Sequence, residues 1–186
     1  MDFPSIQIPA PPVLTPFHPE SLGLAISAAF ANGVLGQATS GTWPTANKAF
    51  FYPFFLRNHA VAYQLLFWVG ATSAGNIDVG VFDSEANLIV AAGSTAMSAT
   101  VNTIQELNIT DTELKPGEYL LGAACSSTSG TVFRISATDE SAFQSFPVYE
   151  QAGLTSATLT NPAVPVISTE ASPPVVACGI QFRSVF

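Results

Sequence analysis

Charged side chains make up only 10% of the 186 residues, and just five are Lys or Arg against thirteen Asp or Glu, a formal charge of −8. A surface this poor in cations repels phosphate backbones and anionic lipid headgroups, so no nucleic-acid partner is expected. Two His and two Cys leave few side chains to serve as general base, thiolate or soft-metal ligand. Long apolar runs are also missing. The longest, Ala49 to Ala71, is broken by Pro53, Arg57, Asn58 and His59, whereas a bilayer span needs about 20 predominantly apolar residues, so no membrane insertion is expected. No Lys or Arg precedes the apolar segment Leu22–Leu35; without a basic head a signal peptide is not expected, and synthesis in the cytoplasm is. Cys125 and Cys178 each sit in a strand-like run, where a thiol is expected as a small buried hydrophobe rather than as half of a disulfide.

Apolar material is plentiful: 48% of the chain is hydrophobic, enough for one well-buried domain. Residues 1–20 hold Pro4, Pro9, Pro11, Pro12, Pro16 and Pro19, and proline's fixed φ and missing donor predict an extended arm. Phe3, Ile6, Ile8, Val13, Leu14 and Phe17 give that arm apolar anchors. A solvated tail would not need them, so the arm is expected to order against a neighbouring subunit. Leu22, Ile26, Ala29 and Phe30 follow Ser21 at helical spacing, which predicts a short helix within an arm region 1–42.

From residue 43 to 186 the pattern is β. Ile77, Val79 and Val81 alternate with Asp78, Gly80 and Phe82, the period of a strand. Strand-like runs at Ala49–Leu56, Val61–Val69, Leu88–Ala92, Val101–Ile109, Glu118–Cys125, Thr131–Ser136 and Val175–Phe186 are separated by turn clusters at Asp83–Asn87, Lys115–Gly117 and Ser126–Gly130. Short strands about ten residues apart, with no helical period between them, predict an all-β, antiparallel, jelly-roll-like β-sandwich. Residues 137–174, cut by Pro162, Pro165, Pro173 and Pro174, read as a long irregular excursion from it.

Catalytic patterns are sparse. No Gly-x-Ser-x-Gly elbow occurs, His18 lies among prolines, and His59 follows Arg57-Asn58 in what reads as a surface turn. Asp78 and Asp83 bracket one strand, Asp111 and Glu113 share a turn, and Asp139-Glu140 are adjacent. Glycoside hydrolysis needs two carboxyls about 5 to 9 Å apart with one desolvated, and spacing alone does not provide that. The chain is expected to be no enzyme and to hold no cofactor; the ion its oxygen-rich loops suit is Ca²⁺.

Aromatic residues carry the clearest binding signal. Trp43, Phe50, Phe51, Tyr52, Phe54, Phe55, Tyr63, Phe67 and Trp68 exceed what one inner face can hide. Their second face is expected to be covered by the arm or another subunit, or to expose a sugar-stacking ring, for which Trp43 is the candidate.

The stretch from Trp43 to about Ser136 resembles a β-sandwich domain common among tailed-bacteriophage virion proteins. The likeness is carried by Trp43-Pro44 with Ala46-Asn47-Lys48-Ala49, by Phe67-Trp68-Val69-Gly70-Ala71-Thr72, and by Gly75-Asn76-Ile77-Asp78-Val79-Gly80-Val81-Phe82-Asp83. Gly93-Ser94-Thr95, Ile109-Thr110-Asp111 and Leu114-Lys115-Pro116-Gly117-Glu118-Tyr119 complete it. The resemblance implies an oligomeric virion part made in the host cytoplasm. We expect a trimeric capsid decoration (cement) protein anchored through its arm, with other virion proteins such as the major capsid or tail proteins as partners. The alternatives are a tail-fibre or tail-tip attachment protein, and a carbohydrate-binding module that meets a host-surface glycan.

Overall fold

The computed structural model describes residues 24–26, 39–135, 148–168 and 174–185. They form two antiparallel sheets packed face to face, the expected β-sandwich, with no helix among the described residues. Sheet A contains β1 (Leu24–Ile26), β2 (Thr39–Thr42), β4 (Ala60–Val69), β8 (Thr103–Leu114), β10 (Thr131–Ile135), β13 (Val175–Val176) and β14 (Cys178–Val185). Sheet B runs β12 (Val166–Ile167), β11 (Tyr149–Gln151), β3 (Lys48–Leu56), β9 (Gly117–Cys125), β5 (Asn76–Asp83) and β6 (Leu88–Ala91), with β7 (Thr95–Ala96) also paired to β5.

The helix expected after Ser21 is a correction. Leu24–Ile26 is a strand that pairs with Gln181, Ile180 and Gly179 of β14. Isolated short helices gain little from local spacing, and the exposed edge of β14 offers a complete ladder of backbone partners. Thr39–Thr42, also placed in the arm region by the sequence, pairs along β10. The anchors Phe3, Ile6, Ile8, Val13, Leu14 and Phe17 lie outside the described residues.

Strand alternation sorts the side chains. Phe50, Tyr52 and Leu56 of β3, Ile77, Val79 and Val81 of β5, and Leu121, Ala123 and Cys125 of β9 enter the inter-sheet core, where Leu65, Phe67, Val69 and Ile180 meet them from sheet A. The Tyr52 hydroxyl crosses this core, donating to the Pro174 carbonyl at 2.8 Å and accepting from the Val176 amide at 3.1 Å. It thereby ties the two sheets together while satisfying polar groups that would cost about 1–3 kcal/mol if buried alone.

The opposite face of sheet B is covered as well, by the chain itself. Residues between β11 and β12 fold back as a strap whose Leu154, Ala157, Leu159 and Ala163 form a second buried cluster with Ala49, Phe51, Phe82 and Ala124. A tight reversal at Ser156 (φ 50°) and Ala157 (φ 64°), closed by a Thr158-to-Thr155 hydrogen bond of 2.9 Å, aims Leu159 at the sheet. Two left-handed non-glycine residues cost about 1 kcal/mol or more each and persist only where their surroundings hold them. Several polar contacts do so. Asn47 Oδ1 accepts from the Ala157 amide at 3.0 Å, Asp78 Oδ2 from the Leu159 amide at 3.0 Å, and the Ser94 hydroxyl donates to the Ser156 carbonyl. Farther along, Asn161 Oδ1 accepts from the Leu88 amide at 3.0 Å and Ala163 N–H donates to the Ala86 carbonyl at 2.9 Å.

At Phe51, therefore, the excursion itself supplies cover of the kind expected from the aromatic count. Gly122 makes that packing feasible, because a Cβ there would stand 2.9 Å from ring carbons of both Phe51 and Phe82.

Candidate functional site

Trp43, the candidate sugar-stacking ring, is another correction. It is fully buried, packs edge-on against Phe50 at 5.4 Å between ring centroids, and donates its indole N–H to the Lys48 carbonyl at 3.0 Å. The loop before β3 carries the ring over the end of the core, where burying its large apolar area is worth more than exposing it.

The carboxylates do not converge. Asp83 is exposed and caps its own turn, accepting from the Glu85 and Asn87 amides at 2.9 and 2.8 Å; hydrogen bonds from Asn87 hold its carboxyl below the ordinary range. Asp111 faces Arg183 at 3.2 Å, and Glu113 faces His59 at 3.6 Å. Both pairs are solvent-exposed and of the kind that contributes little to stability. Asp139 and Glu140 lie outside the described residues. Among the described residues no three His, Cys, Asp or Glu side chains gather as a metal group would.

Three polar side chains are buried for structural reasons that the sequence did not disclose. Asp78 sits beneath the strap at 1% exposure, with Oδ1 lacking a hydrogen bond. Burial raises its pKa, against the opposing pull of the Leu159, Gly93 and Val79 amides. Glu150 meets the Lys48 ammonium at 3.4 Å and accepts the Ser168 hydroxyl at 2.6 Å, locking β11 and the end of β12 to β3. Tyr52 is held un-ionised by its burial in the core. Cys125 and Cys178 are buried free thiols, and burial pushes both upward from the ordinary thiol range.

Below the strap the outer face of sheet B is open among the described residues. A groove of about 440 Å³ runs there over Pro53, Phe55, Ser84, Glu118, Leu120 and Tyr149. The register explains how separate segments build it. Phe55 stands directly across from Glu118, Pro53 across from Leu120, and Tyr149 across from Phe51, all pointing away from the inter-sheet core. Ser84 enters from the turn after β5, whose last residue Asp83 pairs with Tyr119. The intervening pair, Phe54 and Tyr119, turns to the core-facing side of the same strands, where the rings stack at 5.5 Å and the Tyr119 hydroxyl donates to the Lys115 carbonyl at 2.6 Å. Phe55, in the second-last pair of the β3–β9 ladder, is 59% exposed, a large apolar ring left open to solvent.

Of the residues forming this groove, the sequence marked Phe55 and Phe54 only as members of an aromatic crowd. It could not single out Glu118, since the ring-beside-carboxylate arrangement exists only once β3 and β9 are in register. The available signal was period 2: with Phe50 and Tyr52 inward, Phe51, Pro53 and Phe55 point outward.

No protein-family model, curated protein or solved structure matches the chain. The likeness to phage virion domains consequently rests on the residues that carry it.

Proposed function

We propose that this chain is a non-enzymatic structural protein of a tailed-bacteriophage virion, a capsid decoration protein that assembles as a homotrimer and is anchored by its proline-rich N-terminal arm. The supporting observation is the edge of sheet B at β12, which among the described residues pairs with β11 alone. Val164, Val166 and Ile167 stand 67%, 56% and 68% exposed along β12 and its approach. The stretch Val164-Pro165-Val166-Ile167-Ser168 contains no charge. An uncharged, β-branched edge is a template for another chain, and proteins that stay monomeric blunt such edges with charge. Strand β8, which among the described residues pairs with β4 alone, is blunted in this way by exposed Glu106, Asp111 and Glu113. The contrast supports an interface at β12 and solvent at β8. The virion placement is supported by the sequence likeness of the Trp43–Ser136 stretch.

Light scattering tests the assembly: the expected particle mass is three times the 19.4 kDa chain, and Val166→Lys is expected to lower it without unfolding the sandwich. A wild-type monomer at high concentration would sink the reading. Deleting residues 2–20 is expected to abolish incorporation into particles while leaving the fold intact, and immunolabelling of particles separates capsid from tail placement.

A further inference from the structure

The groove on sheet B has two ring positions and one acid, and their spacing narrows what fits. Tyr149 lies opposite Phe51, and Phe55 is four residues farther along β3, about 13 Å away at strand rise. Pro53 and Leu120 form an apolar floor between them. Rings so far apart do not close around one small cation, as an aromatic cage does. They do place one exposed ring, Phe55, and one half-buried ring, Tyr149, along the same channel. Glu118, directly cross-strand from Phe55, places a carboxylate at roughly 5 Å Cβ separation from that ring, and Ser84 adds a hydroxyl on the other wall.

A sugar ring presents an apolar C–H face and a rim of hydroxyl donors. An exposed aromatic ring suits the face, and a neighbouring carboxylate accepts two hydroxyls at once in charge-assisted bonds. A purely apolar ligand would bury Glu118 without a donor, which costs free energy. An anionic ligand would meet both Glu118 and a chain of net charge −8.

From this we infer that the groove lined by Phe55, Glu118, Pro53, Leu120, Ser84 and Tyr149 is a binding site for a neutral oligosaccharide. Phe55 and Tyr149 supply the stacking surfaces, and Glu118 is the hydroxyl acceptor. The volume of about 440 Å³ falls within the range of small-ligand sites, roughly 300–1,000 Å³. The site lies on the face of sheet B rather than at its β12 edge, so it stands whether or not the assembly reading does.

The test uses the full-length protein on an array of neutral and acidic glycans, followed by saturation-transfer NMR with the neutral glycans retained. Phe55→Ala, Glu118→Gln and, as a control on the far edge of the molecule, Ile104→Ala are measured alongside; all three positions are exposed, and circular dichroism verifies that each variant is folded. Neutral glycans are expected to bind, with affinity falling about tenfold in Phe55→Ala, a change of about 1.4 kcal/mol. A several-fold fall is expected in Glu118→Gln and none in Ile104→Ala. The inference is overturned by no neutral-glycan signal at millimolar ligand, by retention of acidic glycans alone, or by a folded Phe55→Ala variant that binds as wild type does. Failure of the assembly reading shows instead in the scattering mass, which these variants leave unchanged.

Discussion

Asp78 is where the strap is held by a group that burial penalises, and replacing it by Asn separates acceptor from charge. The side chain is 1% exposed, Oδ2 accepts the Leu159 amide at 3.0 Å, and the carboxyl titrates above its ordinary 3.8 because desolvation outweighs the nearby amides. A folded-state value above the unfolded one means that the native protein holds the proton more tightly. Its stability contribution is thus complete at low pH and is lost as the pH climbs past 3.8 through the raised folded value. Asparagine keeps an oxygen for Leu159 and carries no charge. At pH 7 Asp78→Asn is therefore expected to be clearly more stable than Asp78→Ala, although its amide NH2, buried where Oδ1 has no partner, offsets part of the gain from removing the charge. Its stability is expected to vary less with pH than that of wild type above the ordinary carboxylate range. Asp78→Ala strands the Leu159 amide beneath the strap and is expected to cost about 1–3 kcal/mol. Urea unfolding followed by tryptophan fluorescence at a series of pH values measures both, since Trp43 reports on the core. If the Asn variant at pH 7 lost as much stability as the Ala variant, the ionised carboxylate would be what secures the strap, and the reasoning would fail.

Trp43→Ala is expected to destabilise by about 3–5 kcal/mol, the cost of emptying a core site of that size, as read from the urea midpoint; a loss below 1 kcal/mol would contradict its burial. Gly122→Ala should cost about 1–3 kcal/mol through overpacking against Phe51 and Phe82, and Phe51→Leu in the same background should recover part of it in thermal unfolding. Neither Cys125 nor Cys178 is expected to react with a thiol-specific chromogenic reagent in the native protein, and both should react at once in denaturant; fast native labelling would refute their burial as free thiols.

Much of this architecture was legible because strands announce themselves by period 2 and turns by their chemistry. The alternation at Ile77–Phe82 and the turn signal Lys115-Pro116-Gly117 needed no tertiary information, and β5 and the β8–β9 connection stand where those signals put them. The short helix after Ser21 failed because its spacing was the only evidence, and Leu24–Ile26 found a ladder on β14 that local spacing cannot foresee. Trp43 failed as a surface ring for a related reason: sequence shows that a ring is present, but not which side of a loop faces the core.

What the residues alone determined was the class of the fold, its antiparallel strands, its poverty of cations and its surplus of rings, since each is a property of composition or nearest neighbours along the chain. Tertiary structure decided the rest. It laid the excursion across sheet B as a strap over Phe51 and Phe82, buried Asp78 beneath it, and set Phe55 beside Glu118 in an open groove. These juxtapositions join residues tens of positions apart, and only the register between strands and the competition for apolar surface bring them together.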